Sequence, residues 1–179
     1  LKQSDITLDG QELAVVFDEY QPKSLWCNEE GTCYFLDHTG FAFAKAPELT
    51  GSAFVRYTEK GKSVAVKTQA VEKDFMQRTQ VFSEQLAQEL DLYVTQINIL
   101  DALDVEYTVS GGGTIKVSRR MSLEDTYENL RTLLQSEEFA HLETGAFQYI
   151  DLRFGDKLFV NEVIETDIEK TASSSEEAE

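Results

Sequence analysis

Cys27 and Cys33, separated by five residues, are the side chains whose type and spacing most directly imply chemistry. They flank Asn28-Glu29-Glu30-Gly31-Thr32, and a glycine within a short polar run between apolar stretches predicts a hairpin. Facing positions of a hairpin bring Cβ atoms within bridging range, so a disulfide is one state of the pair. Closing so short a loop would contribute about 2 kcal/mol through the entropy of the unfolded chain. It would also imply an oxidising, extracytoplasmic setting. Two other states stay open. Zinc would have to recruit His38 and a fourth ligand, and C-x5-C is not a typical knuckle spacing. The third state is a pair of small buried thiols.

Nucleophilic or acid–base catalysis asks for a base beside a nucleophile. The chain has two histidines, His38 in a polar turn and His141 near the end of a helical segment, and neither sits in a motif that supplies a nucleophile. No G-x-S-x-G, Walker loop, dinucleotide fingerprint or H-E-x-x-H is present. Gly111-Gly112-Gly113 lies between two strand-like stretches with no helix start directly after it, which makes it a turn rather than a phosphate cradle. Asp101, Asp104 and Glu106 lack the twelve-residue calcium loop and its central glycine. The expectation is a protein without catalytic residues, cofactor or metal. A hydrolase site assembled from scattered acids is the enzymatic alternative.

The elements that would position these residues read as short strands first. Leu13–Phe17, Leu25–Cys27, Cys33–Leu36 and Phe41–Ala44 are apolar or alternate with period two, and Pro22 and Pro47 punctuate them. Phe54–Thr58 and Ser63–Lys67 flank Glu59-Lys60-Gly61-Lys62 and read as a further hairpin. Val71, Phe75, Phe82, Leu86 and Leu90 then recur at helical spacing, and no Gly or Pro interrupts Thr68–Tyr93. Strands follow at Val94–Leu100, Val105–Val109 and Thr114–Ser118. Ser122 caps a second helix, with Asp125 in its first turn. Phe147–Phe154 and Lys157–Ile164 close the ordered part. The fold class expected is α+β, a mostly antiparallel sheet with two helices packed on one face.

The chain of 179 residues is long enough for one real core, and 41% apolar residues can fill it. Sixteen basic against thirty-three acidic residues give a net charge of -17, a field that repels nucleic acid and anionic lipid. No apolar run reaches the ~20 residues of a bilayer helix. The sequence opens at Leu1 without an initiator Met or signal peptide, so it reads as a fragment or processed product. Residues 165–179 are acidic and Ser-rich and are expected to be a disordered tail.

Tyr149-Ile150-Asp151-Leu152-Arg153-Phe154, followed by a short turn and an apolar strand, resembles the C-terminal Y-[IV]-D-L-R-[YF] signature of the bacterial cell division FtsQ/DivIB family. Tyr34–Phe43 is similar to that family's [YL]-[VL]-D-x-x-G-x-x-F hairpin, with Pro47 after it. Glu12 to Trp26 resembles the junction between its POTRA and β domains, although Tyr20 and Gln21 stand where the family has a basic-led string and the cysteine pair is not a general feature. The likeness spans about Leu13 to Val160, in the family's order. It implies three parts: residues 1–22 as the end of a truncated POTRA-like domain and junction, 23–164 as an FtsQ-type β domain, and the tail. It implies a non-enzymatic divisome scaffold that supports septum formation and binds FtsB/FtsL-like or DivIC/FtsL-like proteins. The full-length protein would be a single-pass membrane protein with this part on the extracytoplasmic side of the cell membrane at the septum. The partner would add a strand to the edge of the last strand, which makes Arg153, Phe154, Asp156, Leu158, Phe159 and Val160 the partner-binding residues. The alternative is an unrelated extracytoplasmic receptor or adhesion domain with the same layout.

Overall fold

A computed structural model describes residues 2–145, 147–155 and 157–162. The fold is α+β, with two helices and a large mixed sheet. The chain divides into two compact units, Leu1–Tyr57 with Gly61–Gln77, and Thr58–Lys60 with Arg78–Glu179.

In the first unit, β1 (Gln3–Asp9) and β2 (Glu12–Asp18) form a two-stranded hairpin of their own. Only β2 is legible as a strand from apolar content; β1 alternates polar and apolar, and Gly10-Gln11, with Gly10 at φ 62°, makes the turn between them. β3 (Ser24–Cys27) pairs antiparallel with β4 (Cys33–Leu36), and β4 with β5 (Phe41–Lys45). These strands are where the alternation predicts them. β6 (Arg56–Glu59) does not turn back on Ser63–Lys67. Its first half lies parallel to β3, Leu25 opposite Arg56 and Trp26 opposite Tyr57. Residues 63–67 are not a strand, and β7 (Thr68–Gln69) pairs with Phe41 and Ala42 of β5 instead. Trp26, Leu36 and Tyr57 are fully buried and form the heart of this core.

Helix α1 (Lys73–Leu90) is shorter than the uninterrupted run from Thr68, because Thr68 and Gln69 go to the sheet. Its apolar stripe behaves as its spacing requires: Phe75, Phe82, Leu86 and Leu90 are buried. In the second unit, Phe82 meets the Tyr107 ring edge-to-face at 5.1 Å, a contact worth about 1 kcal/mol beyond burial. β8 (Val94–Ile99), β9 (Asp104–Val109) and β10 (Thr114–Ser118) form an antiparallel meander. Helix α2 (Leu123–Leu134) begins at the Ser122 cap, whose hydroxyl accepts from the Asp125 N–H at 3.0 Å. A 3-10 turn (Ala140–Thr144) leads into β11 (Phe147–Phe154) and β12 (Lys157–Glu162).

The expectation of a mostly antiparallel sheet holds in part: the sheet is mixed, because β3–β6 and β10–β11 are parallel pairs. The physical reason is the length of the connections. Parallel neighbours need a crossover, and α2 with the 3-10 turn supplies one between β10 and β11. Turn signals between successive strands reveal only antiparallel partners. Residues 163–179, including the end of the expected last strand and the acidic tail, lie outside the described residues.

Candidate functional site

The last hairpin carries the residues that the sequence singles out. β11 is lodged between β10 and β12, with Thr114 opposite Tyr149, Ile115 opposite Ile150 and Lys116 opposite Asp151. Its side chains explain why it sits inside: Phe147, Ile150, Leu152 and Asp151 are all buried. β12 runs antiparallel to it, with Ile150 opposite Val160 and Asp151 opposite Phe159, and ends the strand order. Among the described residues no strand covers its outer edge. Leu158 and Val160 are half-buried, whereas Lys157, Phe159 and Glu162 are exposed. Phe159 and Phe154 meet edge-to-face at 5.5 Å while keeping 50% and 56% of their surface in solvent.

Arg153 is held differently. Its Nε and NH2 donate to the two carboxylate oxygens of Asp151 at 2.9 and 2.7 Å, and NH1 donates to Asp104 at 2.6 Å. The backbone N–H of Arg153 also donates to Asp151 at 3.1 Å. Burial by itself would raise the pKa of Asp151, but the Arg153 side-chain and backbone bonds outweigh it and hold the carboxyl below its usual range. Donating to Asp151 and Asp104 in turn pushes the guanidinium further up. Arg153 therefore fastens β11 to the Asp104 end of β9, with all three guanidinium nitrogens engaged by carboxylates of the same chain. Asp156 lies outside the described residues.

Other predicted chemistry resolves into structure. Cys27 and Cys33 face each other across β3 and β4 and are joined by a disulfide, with Cα atoms 4.1 Å apart, so neither thiol is left for a metal. Asp101 accepts from the N–H groups of Leu103 and Asp104 at 2.6 and 2.9 Å and shapes a turn. Asp104 goes to Arg153, and Glu106 to Lys116 and Asn98. His38 is exposed beside its turn, and His141 Nε2 lies 3.1 Å from the Glu162 carboxylate. The triple-glycine turn has a steric reason: a Cβ on Gly113 would sit 2.5 Å from the Phe147 ring. Among the described residues no group of three His, Cys, Asp or Glu side chains is placed to hold a metal ion, and no helix is long and apolar enough to cross a membrane.

A cleft of about 360 Å³ opens beside Phe154, between Leu103, Met121 and the Arg120 and Arg153 side chains. Sequence reasoning missed Leu103, Arg120 and Met121. The one available signal was Arg119-Arg120, a basic pair in a strongly acidic chain. No protein-family model matches the chain, and no curated protein matches it.

Proposed function

We propose that this chain is a non-enzymatic interaction module of the FtsQ/DivIB kind, which binds FtsB/FtsL-like or DivIC/FtsL-like division proteins by strand addition to β12. The observation that carries the reading is the outer edge of β12, which no strand covers among the described residues, next to two exposed phenylalanines. An uncovered strand edge presents unpaired N–H and C=O groups, and exposed aromatic side chains beside it give an incoming strand apolar area to bury. The cleft lined by Leu103, Met121 and Arg120 adds a recess and a cation within reach of a partner side chain. The disulfide fits an extracytoplasmic site of action at the septum. In this reading a membrane-spanning helix elsewhere in the full protein anchors the module.

Two further features favour the same assignment. The β1–β2 hairpin exposes Ile6, Leu8, Leu13, Val15 and Phe17, and the register puts all five on one face. A two-stranded hairpin is at best marginal alone, so this face asks for another layer, as the end of a POTRA-like domain would. The Tyr127 hydroxyl of α2 donates to Glu89 of α1 at 2.7 Å, consistent with both helices packing on one face of the sheet.

Calorimetric titration with the extracytoplasmic segments of FtsB/FtsL-like proteins from the same organism tests the proposal. Saturable one-to-one binding is expected. Successive N–H groups of a strand alternate sides, so one of Phe159→Pro and Val160→Pro strikes the outward donors and removes binding with the circular dichroism spectrum unchanged. Absence of binding at high micromolar concentration returns the function to the unrelated-receptor alternative.

A further inference from the structure

The first unit has a second uncovered edge, and it is built differently. β7 pairs only with Phe41 and Ala42, so from Phe43 to Lys45 the outer side of β5 meets no strand among the described residues. Lys67 creates this gap. Its N–H donates to the Ala42 carbonyl at 2.6 Å, and its φ of 67° then turns the preceding chain off the sheet. A positive φ is unfavourable for a residue with a Cβ, and such strain collects at functional positions. The Ala46 N–H donates to Cys33 of β4, so the alternation of the strand directs the backbone groups of Lys45 outward.

Beside this edge lies a groove of about 600 Å³ lined by Glu19, Tyr20, Phe41, Phe43, Ala44 and Lys67. Its wall is a row of near-parallel rings. Tyr20 stacks on Phe43 at 5.0 Å and on Phe41 at 5.6 Å, and Phe43 on Phe35 at 6.1 Å. The rings are half-buried rather than sealed. The charge around them departs from that of the chain as a whole: the groove lining is balanced, Lys67 against Glu19, whereas the full chain is at -17, and Lys45 lies along the adjoining strand.

We infer that this groove is a second peptide-docking site, which takes an extended acidic segment of a partner protein carrying an aromatic or large apolar residue. The segment continues the line of β7 along the outer side of β5. Its backbone pairs with Lys45, its apolar side chain lies on the Tyr20–Phe43 rings, and its carboxylate reaches the Lys67 ammonium. The site uses residues of the first unit, whereas the β12 edge belongs to the second.

The test is selection of a random twelve-residue peptide library, displayed on phage, against the full chain. Synthetic copies of the enriched peptides are then measured by fluorescence anisotropy. Enrichment of Asp or Glu together with Tyr, Trp, Phe or Leu is expected. Affinity should fall at least tenfold in Lys67→Gly, which keeps the backbone angle and removes the ammonium, and in Lys45→Pro, which removes the outward donor. Phe159→Pro and Val160→Pro should leave it unchanged. An unaltered circular dichroism spectrum keeps each variant interpretable. Peptides lost in a β12 variant instead, affinity equal in Lys67→Gly, or no enrichment at all would each overturn the site without touching the proposal for β12.

Discussion

β11 and β12 are two arms of one hairpin, yet they differ in everything that surrounds them. β11 has a strand on each side and four buried side chains, and its one arginine is spent on two carboxylates of the same chain. β12 has a strand on one side, half-buried or exposed side chains, and an edge that no strand covers among the described residues. The string that carries the family resemblance, Tyr149 to Phe154, is almost wholly β11. A short signature can thus be a folding requirement, and under the proposed function the contact surface lies on the plainer strand beside it. Side chains that lock a strand tolerate few replacements. Those along an open edge need only suit the partner, where main-chain bonds supply much of the affinity.

That contrast can be broken by mutation. Ile150 and Val160 face each other across the hairpin, the first fully buried and the second half-buried. Ile150→Ala should cost about 4 kcal/mol and Val160→Ala about 1, because the cavity penalty scales with what can close around it. Chemical denaturation of the two variants measures the difference, and equal losses would erase the distinction between the strands. Arg153→Ala comes next. It strands Asp151, which is 6% exposed, so about 3 kcal/mol is expected, the low end for a broken buried pair because the arginine keeps a quarter of its side-chain surface in water. Loss of partner affinity in that variant would then follow from loss of fold. A folded Arg153→Ala protein with wild-type stability and no binding would reassign the arginine to the interface.

The same pair gives a pH dependence of definite sign. The Asp151 carboxyl titrates below its ordinary value in the folded chain, because the Arg153 bonds outweigh its burial. Its contribution to stability is therefore complete above the unfolded value and is lost as the pH falls through the folded one. Asp37, lowered by Thr39 and Phe41 donors that outweigh its burial, acts in the same direction. Denaturation midpoints should drop as the pH falls below about 4, and Asp151→Asn should flatten part of that slope.

How much of this was legible depends on how far apart the cooperating residues lie. The Ser122 cap, the cysteine hairpin and the strand limits of β5 and β10 are local patterns, and local rules recover them. β1 is hard to read because its alternation is mild and its turn, Gly10-Gln11, is only two residues. Ser63–Lys67 looked like a strand because Val64 and Val66 alternate with polar residues, yet only Val64 is buried. The role of Arg153 was unreadable for another reason: its second partner, Asp104, is forty-nine residues away. The cleft behind Phe154 likewise gathers Leu103, Arg120 and Met121 from separate connections.

The smallest expected effect on stability discriminates best. Phe159 rests on Phe154 and otherwise faces solvent, and an exposed edge-to-face pair contributes about 0.5 kcal/mol. Phe159→Ser should therefore unfold within that margin of the parent chain. If β12 receives a partner strand, the same replacement removes a large apolar surface from the centre of the contact, where truncated aromatic residues commonly cost 2 kcal/mol or more, roughly thirtyfold in affinity. His141 and Glu162 provide the internal comparison. Their bond at the far end of β12 is more than 40% exposed on both sides, so His141→Ala should alter neither stability nor binding by more than about 0.5 kcal/mol. A large binding loss in Phe159→Ser beside a silent His141→Ala locates the partner at the Phe154–Phe159 end of the strand. The reverse pattern would move it to the Glu162 end.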